Sequence, residues 1–117
     1  MTQEDKDLLL KDLCARLPYG IKASYYGAEE ERETWDEIEG ITLDGYVDIG
    51  QYSLPIEEIK PYLFPLSSMT WKELEDCCQI KMINAGSLVD WLNAHHFDFR
   101  GLIEKGLAID ATGLNIY

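Results

Sequence analysis

Basic residues are scarce in this sequence. Ten Lys and Arg stand against 22 Asp and Glu, a formal net charge of -12. Binding to phosphate backbones needs clustered cations that displace condensed counterions, whereas Lys6, Lys11, Arg16, Lys22 and Arg32 stand singly among acids. Nucleic-acid binding is therefore disfavoured, and the acidity reads first as solubility. Cysteine is also sparse: Cys14, Cys77 and Cys78 are an odd number with no ladder of spacings, and neighbouring cysteines rarely bridge each other. This excludes a disulfide framework and points to reduced thiols in a cytoplasmic protein. No apolar run approaches the length of a membrane span, and the acidic start, Met1 to Asp7, is the reverse of a secretory leader. The glycine patterns GxGxxG and GxxxxGK are missing, as are GxSxG and HExxH. No dinucleotide, phosphate, nucleophile-elbow or zinc-protease chemistry is signalled, and no cofactor is called for.

What is present describes one globular domain over residues 1–117. Hydrophobic residues at 46% and charged residues at 27% are globular proportions. Thr2 and Asp5 form a cap that opens a helix. Leu10, Leu13, Cys14 and Leu17 fall at i, i+3, i+4 and i+7, the spacing of a buried stripe, with Leu9 widening it. Arg16 suits the negative helix end, where Pro18 and Gly20 stop the helix. Residues 20–26 alternate as a strand and run into the acidic residues 27–33, expected as a solvated hairpin tip. Such a wet run offers no catalytic carboxylate, because general acid–base work needs a desolvated one. It also lacks the ligand spacing of an EF-hand.

Asp44-Gly45 marks a second hairpin. A three-residue loop, Leu43 to Gly45, pairs Thr42 with Tyr46 and puts Ile41, Val47 and Ile49 on one face; a two-residue loop would split them. This register predicts a left-handed Gly45 and a bulge at Gly40 that returns Ile38, and with it Trp35, to the inner face. Residues 54–59 fit one helical turn led by Pro55, ending at Lys60-Pro61. Residues 62–66, with their prolines, are expected as a connection laid over the core and not as a central strand. Thr70 and Glu73 form a capping box for a helix over residues 71–79 with Trp71, Leu74, Cys77 and Cys78 as its apolar side. Residues 80–83 extend that helix or form a connector, and Asn84-Ala85-Gly86 breaks it.

The densest stretch is residues 87–109. Ser87 and Asp90 resemble a third cap, opening a helix whose stripe is Leu88, Trp91, Leu92 and His95. His96 is turned about 100° away, so the two histidines do not converge as an i, i+4 metal pair would. Asp98 stands where the N-cap of a short helix over residues 99–105 belongs, and Gly106 where its left-handed end belongs, with Leu102 touching Leu107. His95 is then a half-buried imidazole bonded to backbone or Asp98, and Arg100 pairs with a carboxylate. The competing reading makes His95, His96 and Asp98 the centre of a small metal-dependent hydrolase.

Two blocks carry a resemblance: Glu58-Ile59-Lys60-Pro61-Tyr62-Leu63-Phe64-Pro65-Leu66-Ser67-Ser68-Met69-Thr70, and Asp90-Trp91-Leu92-Asn93-Ala94-His95-His96-Phe97-Asp98-Phe99-Arg100-Gly101-Leu102-Ile103-Glu104-Lys105-Gly106-Leu107-Ala108-Ile109. They resemble a family of small proteins common in gut anaerobic bacteria, associated with their phages and mobile elements, in which Phe64 is often Arg and Phe99 often Tyr. The resemblance covers about half of the chain well. It implies that setting and no activity.

The order of elements gives an α+β fold. We expect an N-terminal helix, a small curved antiparallel sheet of three or four strands (barrel-like in the extreme), and two short C-terminal helices. The function expected is a non-enzymatic accessory or interaction protein with a protein partner, binding through Tyr25, Tyr26, Tyr46 and Tyr52. The alternatives are the metal-dependent hydrolase and an acidic inhibitor that mimics DNA.

Overall fold

A computed structural model describes residues 1–83 and 85–117, with the side chains of 81–83 and 85 left aside. Thr2 starts the first helix as expected: its hydroxyl accepts the Asp5 N–H at 3.1 Å, and α1 runs Gln3–Arg16. Its buried stripe is not the expected one. Leu9, Asp12, Leu13 and Arg16 face inward, while Leu10 and Leu17 are half-buried and Cys14 is exposed. The observed set has the same i, i+3, i+4, i+7 spacing shifted by one residue, a rotation of about 100°. Two charged residues can hold stripe positions because they neutralise each other: Arg16 Nε donates to Asp12 Oδ2 at 2.8 Å. A 3-10 turn over Leu17–Tyr19 follows α1 and ends at Gly20, whose φ of +77° only glycine takes without strain.

Strands β1 (Lys22–Gly27), β2 (Arg32–Ile41), β3 (Tyr46–Ile49) and β4 (Tyr52–Pro55) form an antiparallel meander. Then come β5 (Lys60–Pro65), the helices α2 (Trp71–Ile83) and α3 (Ala85–Ala94), and two short strands, β6 (Phe97–Asp98) and β7 (Ile109–Asp110). The seven strands make one sheet in the order β4-β3-β2-β1-β5-β6, with β7 also on β5. β6 and β7 run parallel to β5. The fold is α+β, but the sheet is mixed, open and longer than the three or four antiparallel strands expected.

The second hairpin has the expected register. Thr42 N–H donates to the Tyr46 carbonyl at 2.8 Å, Ile41 pairs with Val47, and Gly45 has φ +87°. The register slips between Ile38 and Gly40, which buries Ile38 at 3% exposure; Trp35, an odd number of residues away, lies on the outer face and is exposed. Arg32 and Glu33, expected in the hairpin tip, belong to β2, and the tip is confined to residues 28–31.

β5 corrects the reading of residues 62–66 as a connection, and the prolines do not interrupt it. Ile21 gives its carbonyl to Ile38 N–H on the β2 side, so Ala23, two residues on, also points its peptide groups toward β2. Pro61 pairs with Ala23 from the other side, a position with no ladder bond to lose. Phe64 donates its N–H to the His96 carbonyl at 2.8 Å, and Pro65, the next residue, points away from β6. Leu63 accepts from Ala111 N–H, so β6 and β7 flank β5 on opposite edges. Leu63, Ile59 and Ile56 join Leu9, Leu13, Ile21, Val47, Ile49 and Leu102 in the core between α1 and the sheet. The turn at residues 56–58 begins at Ile56, one residue later than expected, because Pro55 still pairs with Tyr46 in β4.

α2 opens with both bonds of the capping box: Thr70 N–H to Glu73 Oε1 at 2.9 Å, and Glu73 N–H to Thr70 Oγ1 at 3.2 Å. It continues through Ile83; of the expected break, Asn84 lies outside the described residues, and Ala85 and Gly86 are helical. α3 therefore starts before Ser87, which sits in its first turn and is no cap. Among the described residues, no helix is long and apolar enough to cross a membrane.

Residues 99–105 form turns and not the expected helix, because Gly101 turns left-handed at φ +76°. The ending is nonetheless as expected. Leu107 N–H reaches the Leu102 carbonyl at 2.9 Å, Gly106 N–H reaches Ile103 at 3.1 Å, and Gly106 has φ +74°. A Cβ on Gly106 would meet nothing within 4 Å, so only backbone strain opposes it. Gly106→Ala should lower stability by about 1 kcal/mol in urea unfolding, with no change in the slope of the transition.

Candidate functional site

The stretch singled out in the sequence lies where β5, β6, α3 and the last turn meet. α3 stops at Ala94, and His96 takes a left-handed φ of +64° that swings the chain into β6. This separates the histidines further than a helix would. His95 stacks on Trp91 with centroids 4.1 Å apart, keeps its Nδ1 2.9 Å from the Trp91 carbonyl, and stays exposed. That contact needs the proton on Nδ1; in the neutral imidazole Nε2 is then an acceptor. His96 stacks on Tyr117 at 3.7 Å on the other side, and its Nδ1 is buried without a partner. Burial first, then the charges of Arg16, His95 and Lys22, push the His96 imidazole down to about 4.

Asp98 is 8% exposed, and both its oxygens are taken by backbone: Leu102 N–H at 3.0 Å and Ile103 N–H at 2.9 Å. It caps the turn two residues later than an ordinary N-cap would, because left-handed Gly101 intervenes. Arg100 Nη1 donates to Asp12 Oδ1 at 2.6 Å, so one buried carboxylate holds two guanidinium groups. Arg16 is fully buried and also donates to the Phe97 carbonyl at 2.6 Å. Both guanidiniums lie over the Phe99 ring, Arg100 at 4.2 Å and Arg16 at 5.6 Å. Gly106 shapes the turn and touches no other functional side chain. Thus His95, His96 and Asp98 are adjacent in sequence but engaged with three different sets of neighbours. Among the described residues, no group of three or more His, Cys, Asp or Glu is placed to hold a metal ion.

The site that does form was not visible as a motif. A hollow of about 200 Å³ is lined by Phe64, Ser68, Glu73, His95, Phe97, Thr112 and Gly113. The Phe64 and Phe97 rings, 6.1 Å apart and inclined at 53°, make a corner. α2, which gives Glu73 to the hollow, also carries Trp71, 87% exposed, and the exposed Leu74; Leu66 is exposed two residues before Ser68. Of the four tyrosines expected at a binding surface, Tyr26 and Tyr46 are exposed, but Tyr25 is buried with its hydroxyl on Asp36 at 2.6 Å. Tyr52 is half-buried and bonds the Glu29 N–H and Glu30 at 2.9 Å, so it closes the β1–β2 tip. A wider groove of about 390 Å³ runs between α1 and the Thr42–Tyr46 turn, but its polar groups satisfy one another, as in Lys6–Glu57 at 2.9 Å and Gln3–Asp7 at 2.9 Å. Compared with protein families, curated proteins and solved structures, the chain matches none of them.

Removing Asp12 strands Arg16 in the interior. Asp12→Ala should therefore destabilise by about 3–5 kcal/mol in chemical unfolding, and Arg100→Ala by less, since Arg16 keeps its partner. His96 titrates lower in the folded chain than unfolded, so the unfolded state binds the extra proton between pH 6.5 and about 4. Stability from this group is complete above pH 6.5 and falls as pH drops to about 4. His96→Asn, which tolerates the left-handed backbone, should flatten urea midpoints across that window.

Proposed function

We propose that this chain is a non-enzymatic interaction protein, of the accessory kind its resemblance associates with phages and mobile elements, and that it grips a protein partner through α2 and the adjoining hollow. One observation carries this reading. Of the described side chains of α2, residues 71–80, none is buried, although Trp71, Leu74, Cys77 and Ile80 are apolar. A stable monomer has no use for a tryptophan 87% in solvent at the head of a capped helix. Tryptophan is also the residue most enriched among the side chains that dominate binding energy.

The alternatives have less to stand on. A metal-dependent hydrolase needs Asp98 and both histidines at one point, and Asp98 is occupied by two backbone N–H groups. A DNA mimic needs a continuous line of carboxylates. Glu33 and Glu37 do stand ordered on the outer face of β2, but Trp35 lies between them and Lys22 is paired opposite Glu37.

A photo-reactive phenylalanine analogue at position 71, in native cells, tests the reading. It should yield one defined protein adduct that is absent when the analogue stands at Tyr46, more than a strand away. Trp71→Ala should abolish co-purification of that protein while shifting stability by no more than about 0.5 kcal/mol. Equal labelling from both positions, or undiminished co-purification, would remove the proposal.

A further inference from the structure

We infer that the hollow beside α2 receives an arginine or lysine side chain of the partner, so that the surface recognises a basic segment of polypeptide. The inference rests on the interaction reading above and adds the chemistry of the partner. Volume comes first. Sites for small molecules run to about 300–1,000 Å³, and this hollow of about 200 Å³ suits one inserted side chain.

Its lining selects the charge of that side chain. Phe64 and Phe97 line it at an inclined corner; Phe97 is 2% exposed and stacked on Trp91, so the half-buried Phe64 is the ring open to a cation, which aromatic faces attract. Glu73 adds a carboxylate at the rim, held in place by the Thr70 N–H on Oε1. Among the described residues, no ion pair involves Glu73. His95 also lines the hollow with its Nδ1 on the Trp91 carbonyl, and in the neutral imidazole Nε2 is a second acceptor for an N–H donor.

A neighbouring hollow on the other side of the same segment is the useful contrast. It is lined by Pro65, Leu66, Phe99, Ile103 and Glu104, but its Phe99 ring already carries the Arg100 and Arg16 guanidiniums. There the aromatic-plus-carboxylate pattern is filled from within the chain. Beside Phe64, Phe97 and Glu73 no lining residue is a cation. The long-range field agrees: a chain of net charge -12 repels a second copy of itself and steers a basic partner in. Glu75, exposed, and Asp76, half-buried, add two further carboxylates to α2.

The test uses the full chain, isotopically labelled, titrated with acetyl-Leu-Arg-Leu-amide and with the Gln and Glu versions of the same peptide. The Arg peptide should shift the amides of Phe64, Ser68, Glu73, His95, Phe97 and Thr112 and saturate, while the Gln peptide binds at least about fivefold more weakly and the Glu peptide not at all. Glu73→Gln keeps the capping box and removes only the charge, so it should weaken the Arg peptide about fivefold with the fold intact. Equal affinity for the Arg and Gln peptides, shifts centred elsewhere, or no loss in Glu73→Gln would overturn the inference. Those results leave the adduct from position 71 untouched, so this proposal and the interaction reading fail separately.

Discussion

Asp12 accepts from two arginines at once, and the arrangement of the molecule follows from that carboxylate. Arg16 lies one turn along α1, and Arg100 comes from 88 residues away in the chain. Burying ions is expensive, and the attraction offsets the expense only when the remaining donors are satisfied. Here Arg16 reaches one further acceptor, the Phe97 carbonyl, and Phe99 covers both guanidiniums, but Arg16 Nη1 is buried with no partner, so the offset is incomplete. The same contacts therefore set the rotation of α1 on the sheet, anchor β6, and place the turn after it. A purely apolar stripe would have allowed α1 to roll; an ion pair with an outside partner does not.

From that anchor the functional surface takes its form. Phe97 gives its carbonyl to Arg16 on one side and its ring to the hollow on the other, so the hollow is built against the most constrained part of the core. α2 has the opposite character. It is well capped and carries no buried described side chain, so it adds little to the core that α1 and the sheet already close. Apolar residues that do not serve folding are the ones available for a partner. The histidine pair, the most conspicuous chemistry in the sequence, is divided between these roles: His95 borders the hollow, and His96 packs on Tyr117.

Tyr117 itself shows how β1 and β5 separate. Its hydroxyl accepts the Lys22 N–H at 2.9 Å and donates to the Tyr62 carbonyl at 2.8 Å. The phenol thus takes the place of a ladder bond where the strands part. The Lys22 ammonium closes the corner by reaching the Ile116 carbonyl at 2.8 Å and lying over the Tyr117 ring at 5.6 Å. Burial raises the Tyr117 hydroxyl well above its ordinary pKa, so it remains a donor at any pH the fold withstands.

Several features made by residues within about six positions of each other were legible in the residues alone, although the Ser87 cap and the helix over residues 99–105 were not. Thr2, the Thr70/Glu73 box, the register of the Thr42–Tyr46 turn and the left-handed Gly106 ending all have local causes, because their bonds close inside one turn. The rest depended on distant partners. The spacing of α1 admits two stripes, and only Arg100 decides that the one containing Asp12 and Arg16 faces in. The prolines of β5 forbid a strand unless their missing donors point away from β1 and β6, which depends on where those two strands lie. The hollow gathers residues 64, 73, 95, 97 and 112, which no spacing relates. Local hydrogen bonds follow from neighbouring residues; burial of a charge and assembly of a recess require the whole fold.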